Sequence, residues 1–339
     1  MEYAHLPCGT PLQDHDKVLS GKMRFLFASL YTLILLLMIF LLTNCTKEDT
    51  EKIRKEELTL KMVNAINADS LEAYVIWLQN MGTRFALSDN CREVASVIKK
   101  RFIQMGYLNA TLDSFMINKT YRDVVYEQWQ YNVIASIGGT EYPDSLCIIG
   151  GHYDNSLSTG DPFTIVPGAN DNGSGVAAAL EIARVLKRYN FRPKNTIMFI
   201  AFGSEETGLW GSRDFAVSPD GFSQKIKFML NNDMIAYEPS NDPSGWYVNI
   251  IDYDNSHNLR IEAEEICTRY TSLNYRNDNT SSGRTDSYPF FINGYKALFF
   301  FSSKTDPNYH TLNDLVENCN FDYCREIARI SCALLAVKN

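Results

Sequence analysis

Ser145-Leu146-Cys147-Ile148-Ile149-Gly150-Gly151-His152-Tyr153-Asp154 sets the fold. The first five residues form an apolar run of the length of a short buried strand. The two glycines that follow let the backbone turn and place His152 in the loop just past the strand's carboxyl end. In open α/β sheets that edge is where ligands bind. Asp154 stands where it can accept the other ring N–H of His152 and fix its tautomer. Alone, His152 also reads as an ordinary structural histidine.

The segment Pro167-Gly168-Ala169-Asn170-Asp171-Asn172-Gly173-Ser174-Gly175 runs into residues 176–186, whose apolar spacing is helical. Asp171 therefore precedes a helix N-terminus, where an aspartate commonly caps. Glycines on both sides give the backbone room to pass close to another group. A second apolar strand, 195–202, leads into Gly203-Ser204-Glu205-Glu206-Thr207-Gly208. Two acids on a first helical turn are favoured by the helix dipole, but neighbouring side chains diverge, so one can ligate while the other faces a bound water. Strand 226–230 ends at Asn231-Asn232-Asp233, and strand 297–301 leads to Tyr309-His310-Thr311-Leu312-Asn313-Asp314.

Each of these residues has an ordinary structural reading. Five of them at one predicted sheet edge, His152, Asp171, Glu206, Asp233 and His310, point instead to a metal centre. Two neutral imidazoles and three carboxylates suit a pair of zinc ions sharing a water, the equipment of a hydrolase or a close chemical relative. His257, the other histidine beyond the N-terminal segment, opens a helical stretch and is left out of the set.

The motifs Gly150-Gly151-His152-Tyr153-Asp154, Ala169-Asn170-Asp171-Asn172-Gly173-Ser174-Gly175, Gly203-Ser204-Glu205-Glu206-Thr207-Gly208, Asn232-Asp233-Met234-Ile235 and Tyr309-His310-Thr311-Leu312-Asn313-Asp314 occur in this order. Together with Gln130-Tyr131-Asn132-Val133-Ile134-Ala135 they resemble the co-catalytic zinc aminopeptidases, peptidase family M28, from about residue 60 to the C-terminus. The resemblance implies two Zn2+ ions, with Asp171 as the bridging carboxylate, His152 and Asp233 completing one site, and Glu206 and His310 the other. It makes Glu205 the general base, Asp154 the partner of His152, and the Asp171–Asn172 peptide cis. It implies attack of an activated water on the scissile carbonyl of a peptide whose free α-amine is held at the metals.

The chain departs from this pattern in Gly283-Arg284-Thr285-Asp286-Ser287, where relatives commonly carry an Asp-His pair and Ser287 takes the histidine's place. Arg284 and Asp286 are accordingly candidates for the substrate pocket, with Arg284 equally a solvated loop charge. No oxyanion-assisting tyrosine can be placed, and the phenylalanines of 299–301 either border an apolar pocket or belong to the core. Two other functions stay open. One is a glutaminyl cyclase, a single-zinc relative on the same fold, although its bridging-aspartate segment lacks the Asn-Gly-Ser-Gly pattern. The other is an inactive surface lipoprotein that binds peptide or glycan, against which the retained Glu205 argues.

The 339 residues are 45% hydrophobic and 21% charged, an ordinary globular composition. A net charge of −8 argues against a nucleic-acid partner. Apolar strands alternating with helical patterns predict a single α/β domain over 59–339: a twisted, mostly parallel sheet flanked by helices. Residues 58–105 read as two or three helices, and 155–167 as a loop. Residues 46–58 read as a linker and 1–45 as an export segment.

In that segment Lys22 and Arg24 precede an apolar run, 25–42, and Cys45 closes it. The favoured reading is a lipoprotein signal with Cys45 lipidated, and the competing one an uncleaved transmembrane anchor. Both place the catalytic domain outside the cytoplasm on a membrane, and translation from Met23 fits either. Lys47-Glu48-Asp49 resembles the signal that sends some Gram-negative lipoproteins to the cell surface. The remaining cysteines permit many disulfide pairings, and Cys147 reads as a buried small hydrophobe.

Overall fold

A computed structural model of the chain describes residues 26, 34, 49–217, 225–278, 282–302 and 304–339. The chain divides into a unit of Met1–Glu57 and a compact unit of Leu58–Asn339. The described part of the first unit is helical, including residues 49–57, which the sequence reading assigned to a linker. Acids and bases four apart, Glu51 with Lys55 and Lys52 with Glu56, favour that helix. Cys45, Met23 and all of the apolar run except Leu26 and Ile34 lie outside the described residues. Among the described residues no helix is long and apolar enough to cross a membrane.

The second unit carries one eight-stranded sheet built from β1 (Thr111–Tyr121), β2 (Val124–Ile137), β3 (Tyr142–His152), β4 (Asn195–Phe202), β5 (Ile226–Asn232), β6 (Tyr247–Asp252), β7 (Asn274–Arg276) and β8 (Ala297–Ser302). Their order is β1-β2-β4-β3-β5-β8-β6-β7. The central four, β4, β3, β5 and β8, run parallel. β2 pairs antiparallel with β4, and β6 antiparallel with β8. β1 and β2 form a long hairpin whose turn residues, Arg122 and Asp123, both adopt positive φ.

Continuous apolar runs make these central strands because helices cover both faces. Successive residues of each strand point to opposite sides. Cys147, Ile149, Ile197, Phe199, Leu230 and Phe300 enter a large core. That core also holds apolar side chains of α1 (Ala68–Gln79), α2 (Cys91–Gln104), α3 (Ser174–Arg188), α5 (His257–Tyr270) and α7 (Phe321–Val337), the last ending nearly at the C-terminus. Ile148, Met198, Ile200, Phe202 and Met229 enter a smaller core with α4 (Trp210–Ala216) and α6 (Ser287–Ile292).

Gly150 and Gly151 do not form the turn expected of them, because both remain within β3. They are needed for close approach. A Cβ on Gly150 would lie 2.2 Å from the carbonyl oxygen of Ile200, and one on Gly151 2.5 Å from that of Asn232. His152 is consequently the last residue of the strand, held rigidly in the sheet.

Cys91, Cys147, Cys267, Cys319, Cys324 and Cys332 are all unpaired thiols, and Cys147 is buried in β3.

Candidate metal centre

Parallel pairing of β4, β3, β5 and β8 brings the expected ligands to one sheet edge. His152 ends β3 and Asp233 follows β5. His310 lies in the loop beyond β8, and Asp171 in an irregular turn, Ala169–Gly173, that feeds α3. Glu205 and Glu206 follow β4, in a turn that precedes α4 and not on its first turn as the sequence reading had it. Gly208 and Leu209 hold positive φ there, so the chain reaches Trp210 before a helix begins.

The side chains converge in two groups that share Asp171. His152 Nε2 lies 3.3 Å from Asp171 Oδ1 and 3.3 Å from Asp233 Oδ1. His310 Nε2 lies 3.0 Å from Asp171 Oδ2 and 2.9 Å from Glu206 Oε1. Glu205 Oε2 stands farther off, 3.9 Å from His152 Nε2. The Asp171–Asn172 peptide is cis.

These residues fit a metal. Zinc bonds of about 2.0–2.2 Å in tetrahedral geometry separate ligand atoms by about 3.4 Å, close to the spacings just given. Asp233 Oδ1 is buried without a hydrogen-bond partner. The four acids also crowd one another. Burial, then the charge of Asp171, pushes the Glu206 carboxyl up to about 7. Burial raises Glu205 well above the usual carboxylate range, with Glu206, Asp286 and Asp233 adding to it. Burial alone would lower the His152 imidazole, but Glu205, Asp233 and Asp171 together raise it well above its ordinary value. Asp171, despite burial, is held low by hydrogen bonds to both histidines. So many acids in a buried space call for a cation.

Neighbouring groups aim these candidate ligands. The His152 Nδ1 proton goes to the backbone carbonyl of Asp154, 3.0 Å away, which leaves the Nε2 lone pair facing Asp171 and Asp233. Asp154 therefore orients the ring, but not through its carboxylate as expected. The carboxylate is 3.7 Å from Nδ1 and accepts instead from the backbone N–H groups of Glu205 (3.0 Å) and Glu206 (3.1 Å). Asp154 thus ties His152 on β3 to the acid pair after β4.

Asp314 accepts from the backbone N–H groups of Asn170 (2.7 Å) and Asp171 (3.0 Å), while Asn172 Oδ1 accepts from those of Gly175 and Met234. Thr285 donates its hydroxyl to Asp233 Oδ2 at 2.8 Å and is itself bonded by Asn231. Beneath the Asp171 turn lies Arg84, 2% exposed, its guanidinium donating to the carbonyls of Tyr153, Leu78, Pro167 and Gly168. Burial lowers Arg84 to about 10. Arg84 and Thr285 had no signal in the sequence, since each acts from a segment remote from the residue it supports.

The centre opens into a cavity of about 660 Å³. Phe299 and Phe301 line it with ring centroids 5.3 Å apart, whereas Phe300 points into the core. Arg284 also lines it. Asp286 does not: it is fully buried behind the centre, its carboxyl pushed up to about 7 by burial. Ser287 is buried as well, 2.8 Å from the Tyr253 hydroxyl, because α6 turns both residues inward. Tyr309 borders the cavity and stacks on the His310 ring at 3.8 Å. His257 starts α5 beside Asp252 and has no part in the centre.

Comparison with known proteins identifies the family and the fold. The model of Peptidase family M28 matches residues 132–335, more than half of the chain. A probable aminopeptidase of Saccharomyces cerevisiae is 27% identical over 288 residues, covering 82% of this chain and 75% of its own. The fold is similar to the LapA aminopeptidase of Legionella pneumophila, with TM-score 0.70 and 22% identity over 84% of this chain and 73% of that one. It is also similar to a Bacteroides thetaiotaomicron glutaminyl cyclase, with TM-score 0.64 and 16% identity over 81% of this chain and 99% of that one.

Proposed function

From the premise that this chain belongs to peptidase family M28 and is a zinc metallopeptidase, we propose that it is a two-zinc aminopeptidase releasing N-terminal residues from peptides. The observation that carries the reading is the division of Asp171 between two groups, one oxygen toward His152 and Asp233 and the other toward His310 and Glu206. When bound, zinc supplies an acidified water and a Lewis acid for the scissile carbonyl.

The chain's own residues do the rest. Glu205, 3.9 Å from His152 Nε2, accepts the proton of the attacking water and returns it to the leaving amine. Asp154 fixes the backbone of Glu205 and Glu206 together, so base and ligand keep their separation. The centre seats the substrate's free α-amine, and Phe299 and Phe301 offer an apolar surface to the first side chain.

Unblocked peptides beginning with a large apolar residue should therefore be cleaved, and their N-acetylated counterparts hardly at all. Matched pairs assayed for free amino acid decide this, and equal rates on both would refute the exopeptidase reading. A glutamine-initiated peptide in the same panel separates the cyclase, which would release ammonia and no amino acid.

We also propose that the chain is exported and lipid-attached at Cys45, on the strength of the basic and apolar run before it. Labelled fatty acid should enter the mature protein and be lost in Cys45→Ser. Labelling that is absent, or indifferent to the substitution, would favour a transmembrane anchor.

A further inference from the structure

We infer that the cavity beside the metal centre takes a substrate carboxylate, so that the preferred peptides are anionic beyond the cleaved bond. The inference rests on the aminopeptidase reading and deepens it. Four cations line the cavity: Arg213 from α4, Arg276 from β7, Arg284 ahead of α6, and Lys304 after β8. They come from separate elements and gather around one opening. Among the described residues, no ion pair engages Arg213, Arg284 or Lys304. Arg276 is aimed by Asn249, whose Oδ1 accepts from its Nε at 3.0 Å and whose Nδ2 donates to the carbonyl of Ser302.

The charge balance distinguishes this rim from an ordinary solvated surface. Asp171, Glu205, Glu206 and Asp233 are the cavity's acids at the centre, and two divalent ions would offset them. Two further acids line it, Asp278 and Asp306. Asp306 is buried and already accepts from Asn170 Nδ2 (2.8 Å) and the Asn308 N–H (2.8 Å). With the metals in place the four cations outnumber Asp278 and Asp306, so the rim is positive, in a chain whose net charge is −8. A positive cavity in an acidic protein draws in anions, and guanidinium groups bind carboxylates through paired hydrogen bonds. The cavity's volume lies within the range of small-ligand sites. The centre and the rim line one cavity, so a peptide seated by its amine at the metals shares that space with the four cations. The substrate carboxylate has two sources, the C-terminus of a short peptide or an acidic side chain after the cleaved bond.

The test compares three unblocked peptides of equal length that begin with leucine: Leu-Ala-Ala amide, its free acid, and Leu-Glu-Ala amide. Zinc-loaded protein should show kcat/KM about five- to tenfold higher on at least one acid than on the neutral amide. The peptide with the greater enhancement identifies the source. Arg213→Gln, Arg284→Gln and Lys304→Gln should each lower the acid-to-amide ratio, Arg284→Glu should lower it further, and added salt should shrink it. Reading the ratio removes any general loss of activity from the comparison. Equal kcat/KM on all three peptides, or a wild-type ratio that survives in every variant, would overturn the inference and leave the aminopeptidase intact. Failure to cleave any of the peptides would remove both.

Discussion

Glu205→Gln is expected to lower kcat by about 10²–10⁴-fold while leaving the metal content unchanged. The amide is the same size as the carboxylate but cannot accept a proton from water. Glu205 stands 3.9 Å from His152 Nε2, outside the 2.9–3.3 Å contacts of the five inner side chains. Its backbone N–H is held by Asp154, and its carbonyl accepts from Gly208 (2.9 Å) and Leu209 (2.8 Å), so the substitution leaves the turn in place. Glu206→Gln provides the contrast. That side chain meets His310 at 2.9 Å, and its loss should appear first as weakened metal binding. The two variants are to be compared by elemental analysis and by turnover at saturating substrate. Near-normal turnover of Glu205→Gln would dispose of the general-base role.

Asp171→Asn is expected to do the greatest damage to the centre itself. Both oxygens of Asp171 are committed, each within 3.3 Å of a different imidazole, so one substitution touches both groups. Removing an outer-shell partner typically costs about 10–100-fold in metal affinity, and loss of a shared ligand should exceed that. The wild type should carry two zinc ions per chain, lose activity to a chelator and regain it with added zinc. Asp171→Asn should hold about one ion or none under the same dialysis. A fully active wild type with one tightly held zinc would shift the assignment toward a single-metal enzyme such as the cyclase. Two ions retained in Asp171→Asn would show that the carboxylate does not bridge.

The residues that gather at this sheet edge were legible in the sequence because each follows an apolar run or opens a helical one, and those runs are local patterns. Asp171 before Asn172-Gly173-Ser174-Gly175, and His152 two residues before Asp154, could be read without knowing what lay beside them. The fold class was legible for the same reason, since β3, β4, β5 and β8 are buried on both faces and therefore read as unbroken hydrophobic segments. The edges were harder. β1 and β2 are partly exposed and joined through Arg122-Asp123, a pair that does not announce a tight turn.

Atom-level roles needed the tertiary structure. Residue type does not tell whether Asp154 offers its carboxylate or its carbonyl to His152. Nor does proximity in sequence tell that Arg284 faces the cavity while Asp286, two residues on, is buried behind it. Arg84 and Thr285 support the centre from distant segments, through hydrogen bonds that exist only once the strands are paired. The sequence by itself determined which residues can bind metal and which sheet edge carries them, because side-chain chemistry and hydrophobic period are local properties. Only the tertiary structure decided which oxygen faces which imidazole and which charges share a cavity, because those depend on distances between segments far apart along the chain.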